Sequence, residues 1–313
     1  MSTRKAAVID MGTNTFHLLL VELNGVGFRT LYKEKIPVKL GQGGISQNQL
    51  APDAQKRAFH TLKHFKNLID GEGIDQVFAF ATSAVRNAEN GAEFVQKVKE
   101  DIGIEIHVIS GEEEAQLIYE GINLSGSLNG HINLMMDIGG GSVEFIIGTS
   151  QEVFWKQSFE IGGQRLLDAF HYHDPILPEE VEKLESHCFS KLQPLLEAIE
   201  KYKPSGLVGA SGTFDTLTDI YYESMLQCKL TGQHVFELPT SEFERIFQML
   251  KTKNREERLK IPGMIAMRVD MIVVASCLIE FILRYVPVEA IVCSHYSLKE
   301  GAVSRLLAGK VSV

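Results

Sequence analysis

Residues 134–148 read "LMMDIGGGSVEFIIG", with apolar residues on both sides of a glycine-rich segment. An apolar strand reaches Asp137, three consecutive glycines follow, and a second, alternating strand begins. Two short apolar runs around such a turn predict a β-hairpin, but a tight hairpin needs only two turn residues and usually one glycine. Because glycine has no side chain, a glycine-rich turn can point several backbone N–H groups at one anion. An acid beside a bound phosphate is usually a ligand of Mg²⁺.

A second stretch, "VIDMGTNTFHLLLV" at residues 8–21, has the same organisation. An offset of 127 residues aligns four pairs of positions: Asp10 with Asp137, Gly12 with Gly139, Thr15 with Ser142, and His17 with Glu144. Each stretch is a strand, an Asp-x-Gly, a small polar turn and a second strand. A match over so few residues is weak by itself, but the pair indicates two related lobes that present small-residue turns to a shared cleft.

Composition limits the class of protein. A chain of 313 residues with 44% hydrophobic content is long enough for two α/β domains. No run of eighteen apolar residues occurs, and "MSTRKAAVID" enters a strand directly instead of forming a signal peptide, so we expect a soluble, cytoplasmic protein without a membrane partner. A net charge of −9 argues against a general nucleic-acid binder, although a local basic cleft could still hold a polyanion.

Two groups of residues resemble a metal or disulfide site, but their spacing indicates ordinary structural residues. The four cysteines lie far apart without a C-x-x-C, which predicts buried free thiols: Cys188, Cys228, Cys277 and Cys293. The segment "HYH" at 171–173 lies in a proline-bounded loop without an acid at ligand spacing, and predicts a solvated aromatic turn. No P-loop motif occurs, and "GGG" lacks the spacing of a dinucleotide-binding turn.

Two charged residues of the first half are candidates for function. Ser83 is placed to cap a helix whose first turn would contain Arg86, where a cation opposes the helix dipole, so an anion partner would explain Arg86. A surface pair with Glu89 explains it equally well. Glu114 shares the apolar face of its helix with Leu117, and is either a buried structural acceptor or a functional acid or base.

The second half contains further candidates. A long helix is predicted over 179–202, with Pro194 as a kink or break. The segment "GLVGASGTFDTL" at 206–217 predicts strand, small-residue turn and helix N-terminus, which is either an anion or nucleotide site or a case of tight strand–helix packing. Arg165 lies early in a helix after a glycine turn, and Arg268 lies in an otherwise apolar predicted helix.

With these motifs in hand, the chain resembles the exopolyphosphatase and guanosine pentaphosphate phosphatase (Ppx/GppA) family of the actin-like ATPase superfamily. The resemblance rests on seven stretches in order: "AVIDMGTNTFHLLL", "ATSAVRNAEN", "ISGEEEA", "MDIGGGSVEF", "GGQRL", "GASGTFDTL" and "SLKEGAV". It implies two actin-like (ribonuclease H-like) α/β domains with a phosphate-binding cleft between them. The seam expected in "NLSGSLNGH" gives domains 1–126 and 127–297, with a C-terminal helix, 298–313, that packs back on the first. Longer members carry a further helical region, so this chain is expected to be a short form.

The resemblance also implies roles for matching positions. Glu114 becomes the general base that activates water, and Arg86 a phosphate clamp. Asp137 and Glu144 become ligands of Mg²⁺ (or Mn²⁺), with Asp10 nearby. The terminal phosphate would be held by two turns, formed by Gly139, Gly140, Gly141 and Ser142 in one domain and by Thr13, Asn14 and Thr15 in the other.

Some positions depart from the family pattern. Thr13 and Thr15 stand where serines are commoner, which keeps the hydroxyl groups. The segment "HYSLKEG" at 295–301 replaces the usual Asp-Arg-Gly-Leu-Arg-Glu-Gly, and Lys299 keeps the charge without the bidentate fork of arginine.

The function implied is release of terminal orthophosphate from inorganic polyphosphate. Guanosine pentaphosphate 5′-phosphohydrolysis is the alternative within the class, and an actin-like kinase or a non-catalytic nucleotide-sensing protein are alternatives outside it. A polyanion would need a local stripe of cations, for which the candidates are Lys39, Arg165, Arg268 and Lys299. Homodimerisation is left open.

Overall fold

A computed structural model describes residues 4–25, 27–226, 229 and 232–309, and every structural statement below refers to these residues. The chain divides into two compact units. Unit 1 contains the residues up to Gly121 together with those from Leu298 onward, and unit 2 contains Ile122–Ser297. Unit 2 is therefore one continuous segment inserted between two parts of unit 1. Each unit is described by itself.

Unit 1 is a five-stranded mixed sheet with helices. Its strands are β1 (Arg4–Met11), β2 (Phe16–Leu23), β3 (Phe28–Ile36), β4 (Val77–Ala81) and β5 (Ile106–Val108), in the order β3-β2-β1-β4-β5. Its helices are α1 (Pro52–Gly71), α2 (Ser83–Arg86), α3 (Gly91–Ile102), α4 (Gly111–Leu124, shared with the start of unit 2) and α12 (Leu298–Leu307). A short 3-10 turn spans Ile45–Gln47.

Unit 2 is a six-stranded mixed sheet with helices. Its strands are β6 (Asn133–Ile138), β7 (Val143–Gly148), β8 (Val153–Phe159), β9 (Gly206–Ala210), β10 (Val235–Pro239) and β11 (Ala290–Ser294), in the order β10-β11-β9-β6-β7-β8. Its helices are α5 (Gly163–Phe170), α6 (Pro178–Lys191), α7 (Gln193–Tyr202), α8 (Ser211–Ser224), α9 (Thr240–Thr252), α10 (Arg255–Arg258) and α11 (Met271–Leu283).

The two sheets share one plan, which gives the sequence repeat a structural meaning. In each, the first strand of an antiparallel hairpin also pairs in parallel with a later strand, β1 with β4 and β6 with β9. Asp10 lies opposite His17 in one hairpin, as Asp137 lies opposite Glu144 in the other. The turns close alike, because Gly12 N–H donates to Thr15 O at 3.1 Å and Gly139 N–H donates to Ser142 O at 3.0 Å. Both predicted hairpins are confirmed.

Each unit has its own apolar core. In unit 1 the sheet packs on α1 and α3 through Phe65 and Phe94, and in unit 2 helix α11 is buried along nearly its whole length. Three of the predicted free thiols are confirmed as buried: Cys188, Cys277 and Cys293. Burial raises the pKa of Cys188 and of Cys277 to about 12, which keeps both thiols protonated. Cys228 lies outside the described residues.

Three local predictions need correction or refinement. The helix predicted over 179–202 is two helices, because α6 ends at Lys191 and α7 begins at Gln193, with Pro194 in its first turn. Arg268 does not lie in a helix. It lies in a turn before α11, in a segment where Gly263 has a φ of +83°. His171 is not solvated, since its side chain is 4% exposed and lies against Asp174.

In the part of the chain that the structure covers, every helix is too short or too polar to cross a bilayer.

Candidate active site

The side chain of Glu114 is held at the start of α4, in unit 1. Ser110 accepts a hydrogen bond from Glu113 N–H at 3.1 Å through its hydroxyl, which satisfies an N–H group of the first turn as an N-cap does. The three acids of this turn also suit the positive end of the helix dipole. Glu114 is 7% exposed, whereas Glu112 in the same turn is exposed. The helix therefore begins in a way that directs one of three adjacent carboxylates inward.

Arg86 contacts this inward carboxylate. Its Nη1 lies 2.7 Å from Glu114 Oε2 and donates to the carbonyl of Ile109 at 3.1 Å. Arg86 lies in the first turn of a helix, as predicted, but α2 has a single turn and begins at Ser83 after its N-cap Thr82. Arg86 is therefore also the last residue of α2, where the dipole favours a cation, so the dipole does not require an anion partner. Glu89, the alternative partner, accepts from Gln49 at 2.7 Å. The structure thus brings together the two residues that the sequence singled out in this half.

The small-residue turn of unit 1 is anchored by the segment after β3. Thr13, Asn14 and Thr15 are all buried. The carbonyl of Thr13 accepts from Gly41 N–H at 2.9 Å, and that of Asn14 accepts from Lys39 N–H at 2.8 Å. Lys39 has a φ of +52°, so this anchoring bends its backbone into the left-handed region. Lys39 is exposed and adjoins the turn through its backbone.

The triple-glycine turn of unit 2 is anchored by the N-terminus of α5. The carbonyls of Gly139, Gly140 and Gly141 accept from the N–H groups of Gly163, Gln164 and Gly162 at 2.8, 2.8 and 3.1 Å. Arg165 Nε donates to the carbonyl of Gly141 at 3.0 Å. With the three carbonyls engaged by α5, no backbone hydrogen bond within the described residues uses the N–H of Gly140 or Gly141. Backbone N–H groups of a glycine-rich turn that are not used in this way are the donors from which anion-binding turns are built.

Gly162 supports that turn and is a residue whose role the sequence did not reveal. A Cβ atom at this position would lie 2.5 Å from the carbonyl carbon and oxygen of Gly140 and from the carbonyl carbon of Gly141. The double glycine in "GGQRL" was visible in the sequence, but its partner lies more than twenty residues earlier. Only the folded chain shows that the two glycine segments pack backbone against backbone.

Asp137 and Glu144 are cross-strand neighbours on one face of the second hairpin. Asp137 is 6% exposed and accepts a short hydrogen bond from Ser297 Oγ. Glu144 is 1% exposed and accepts from Ser158 Oγ at 2.7 Å. The two serines were not predicted as site residues, because each comes from a segment distant in sequence. Asp10 lies in the equivalent place in the hairpin of unit 1.

These carboxylates are suitable ligands for a divalent cation that would also be bound by phosphate oxygens. Among the described residues no three His, Cys, Asp or Glu side chains are grouped closely enough to hold a metal ion alone. Mg²⁺ commonly takes only one or two protein carboxylates and completes its shell with water and substrate phosphates. A buried pair of carboxylates, each oriented by a hydroxyl group, is a donor set of that kind.

The predicted cations differ in their surroundings. Arg268 is 8% exposed, and its Nε has no hydrogen-bond partner in the part of the chain that the structure describes. Its guanidinium covers Gly212 at the N-terminus of α8, where a side chain would collide with it. Burial lowers the pKa of Arg268, while Asp215 and Asp137 act in the opposite direction. In unit 2 Arg165 also pairs with Glu160 at 3.3 Å. In unit 1 Lys299 pairs with its neighbour Glu300 at 3.2 Å.

Known proteins resemble this chain along almost its entire length. A family model described as the Ppx/GppA phosphatase family matches residues 19–309. The crystal structure of an exopolyphosphatase from Cytophaga hutchinsonii has 44% sequence identity and a TM-score of 0.95, with 98% of each chain covered. A Ppx/GppA family member from Aquifex aeolicus has 24% identity and a TM-score of 0.83, with 100% of both chains covered. The predicted α/β class with two actin-like domains is confirmed.

Proposed function

The chain belongs to the Ppx/GppA phosphatase family, and from that premise we propose that it is an exopolyphosphatase that releases terminal orthophosphate from inorganic polyphosphate. It is a phosphoanhydride hydrolase of the exopolyphosphatase type. The observation that carries the proposal for its mechanism is the buried Glu114 carboxylate held 2.7 Å from Arg86.

The reaction needs an oriented nucleophile. Water attacks the terminal phosphorus, the bond to the bridging oxygen breaks, and the products are orthophosphate and a polyphosphate shorter by one unit. Glu114 accepts the proton that the attacking water loses, as a general base does. Arg86 holds the Glu114 carboxylate in place through the contact between Nη1 and Oε2. The same guanidinium carries charge that can balance the terminal phosphate.

Charge on the phosphate oxygens must also be stabilised. The N–H groups of Gly140 and Gly141 are donors that need no reorganisation, since α5 fixes the turn through its carbonyls. Ser142 would add a hydroxyl group in this turn, and Thr13 and Thr15 are candidate donors in the equivalent turn of unit 1. Fixed donors of this kind are often the largest contribution to acceleration of such a step.

The expected cofactor is Mg²⁺ or Mn²⁺, with Asp137 and Glu144 as ligands and Asp10 as a further candidate. When bound, the cation would neutralise phosphate oxygens and stabilise charge that develops on the leaving group. Ser297 and Ser158 hold the two carboxylates in fixed orientations. Groups that orient metal ligands usually contribute to metal affinity.

Polyphosphate is proposed over guanosine pentaphosphate because of the similarity to an exopolyphosphatase over 98% of the chain. Arg165, Arg268, Lys39 and Lys299 are candidate contacts for successive phosphates. An actin-like kinase would instead need an acceptor site and an adenine pocket around residues 209–214. Phosphate release measured side by side from long polyphosphate, guanosine pentaphosphate and ATP separates these functions. The proposal requires polyphosphate to have the highest kcat/KM, and a preference for guanosine pentaphosphate would replace it with the alternative.

The role of Glu114 has its own test. Glu114→Gln keeps the size of the side chain and can still accept from Arg86, but the amide cannot take a proton from water. We expect kcat to fall by about 10²–10⁴-fold with KM little changed. Glu112→Gln is the matched control, because Glu112 lies in the same helical turn and is exposed. Near-normal turnover in a folded Glu114→Gln variant would refute the assignment.

A further inference from the structure

Helix α12 is attached to α4, the helix that carries Glu114, by one arginine. Arg305 Nε donates to Glu120 Oε2 at 2.6 Å, and Arg305 Nη1 makes a short ion pair with Glu113 Oε1. The Arg305 side chain is 22% exposed, so both contacts are partly shielded from water. Burial acts to lower the pKa of Arg305, but the hydrogen bonds to Glu120 and Glu113 prevail and raise it. One guanidinium therefore bridges two carboxylates of the same helix.

The two helices also meet at their backbones. A Cβ atom at Gly301 would overlap the carbonyl oxygen of Leu117 and would lie 3.1 Å from Gly121 N. A glycine is thus required where α12 crosses α4. Arg305 follows one turn later on α12, and Gly301 and Arg305 lie on one face of that helix.

The contacted residues define one face of α4. Glu113, Leu117 and Glu120 are separated by four and three residues, which is the spacing of neighbours on a helix surface. Together they fix both the rotation of α4 about its axis and its position along that axis. Glu114 follows Glu113 directly, so a rotation of α4 changes the direction in which the Glu114 carboxylate points.

We propose that Arg305 is a positioning residue for Glu114: by bridging Glu113 and Glu120 it sets the rotation of α4 and so the direction of the carboxylate that activates water. The inference rests on the proposed role of Glu114 as general base. Arg86 contacts the Glu114 carboxylate directly, whereas Arg305 contacts other carboxylates of the same helix. Neither the family resemblance nor the sequence pattern singled out Arg305.

The test is Arg305→Met, which keeps most of the length of the side chain and removes both contacts. A misplacement of about 1 Å in a catalytic group can cost about 10²-fold, so we expect kcat for phosphate release to fall by about 10–10²-fold, with KM changed by less than about threefold. Arg305→Lys should recover only part of the loss, because a single ammonium cannot bridge both carboxylates as the planar fork does.

Arg4→Met is the matched control. Arg4 also attaches α12, since its Nη2 donates to the carbonyl of Leu306 at 3.3 Å, but among the described residues it makes no hydrogen bond to α4. Thermal unfolding of both variants shows how much each weakens the attachment of α12. If Arg4→Met lowers kcat as much as Arg305→Met at a similar loss of stability, the effect is general loosening and the proposal is overturned. Glu120→Gln gives a milder second variant should Arg305→Met fold poorly.

A double variant separates failure of this inference from failure of the proposed mechanism. If Arg305 acts through Glu114, Arg305→Met should lower the residual kcat of the Glu114→Gln variant by less than about twofold, because the effects of coupled residues do not add. An equal loss in both backgrounds would overturn the positioning role while leaving Glu114 as the base. Normal turnover of Glu114→Gln alone would instead remove the premise.

Discussion

Replacing Gly162 by alanine tests whether the triple-glycine turn must stay where α5 holds it. The backbone of Gly162 has a φ of −62° and a ψ of 164°, which alanine adopts without strain. Any effect must therefore come from the added methyl group. That group would lie 2.5 Å from three backbone atoms of Gly140 and Gly141.

The size of the effect follows from this distance. Ordinary contact begins at 3.4 Å, so the turn or the start of α5 must move by about 0.9 Å. Displacement of about 1 Å at a reacting centre costs about 10²-fold in rate, and overpacking costs about 1–3 kcal/mol of stability. We expect kcat/KM for phosphate release to fall by about 10²-fold in a variant that still folds cooperatively.

The assay is initial-rate phosphate release over a range of polyphosphate concentrations, with urea unfolding measured in parallel. Gly130→Ala is the control, because a Cβ there would have no described residue within 4 Å apart from its chain neighbours, and Gly130 belongs to the same unit. Full activity of Gly162→Ala would show that the position of the triple-glycine turn does not limit phosphate release. An equal loss of kcat/KM in Gly130→Ala would show that the effect is not specific to the triple-glycine turn.

Three further perturbations test the metal site, the cations and a buried histidine. Asp137→Asn and Glu144→Gln should each raise the Mg²⁺ concentration for half-maximal activity by about tenfold or more; full activity in excess chelator would contradict the metal assignment. Arg268→Ala, once shown to fold, should flatten the salt dependence of KM for long polyphosphate and change a short substrate little, whereas equal slopes for long and short substrates in the parent protein would argue against a cation stripe. Burial lowers the pKa of His171 below 6.5, with repulsion from Arg258 adding to it. Below pH 6.5 the imidazole is protonated in the unfolded chain but stays neutral in the folded chain. The free energy of unfolding is therefore at its full value above about pH 7 and decreases as the pH falls. His171→Asn should reduce that decline in urea midpoints measured between about pH 7.5 and 5.5, and an unchanged decline would exclude His171 as its source.

The hairpins could be predicted because their signals are local. Alternating apolar residues, an acid and excess glycine lie within fifteen positions of one another, and the turn hydrogen bonds of Gly12 and Gly139 join residues only three apart. The break at Pro194 is local in the same way, since proline cannot continue the hydrogen bonding of the preceding helix. Glu114 was recognisable because a carboxylate on an apolar helix face is unusual.

Other features depend on contacts distant in sequence. Arg268 was placed in a helix because the apolar residues on both sides of it continue without interruption, yet the buried guanidinium lies over Gly212 and α11 begins only at Met271. Periodicity cannot distinguish a buried turn from a buried helix when nearly every residue is apolar. The support that Gly162 gives the turn depends likewise on tertiary packing, as do the bonds of Ser297 and Arg305.

The attachment of α12 to α4 has a consequence for how the protein is made. A ribosome synthesises β1 to α4 first, then the whole of unit 2, and only afterwards the residues from Leu298 onward. Domains tend to fold as units during synthesis, so unit 2 can fold while α4 still lacks the partner that meets Leu117. A chain that terminates early, before α12 emerges, would thus contain Glu114 on a helix that Arg305 has not yet fixed. Chains that stop before α12 would then lack hydrolytic activity, and a chain would acquire that activity only after α12 has been synthesised.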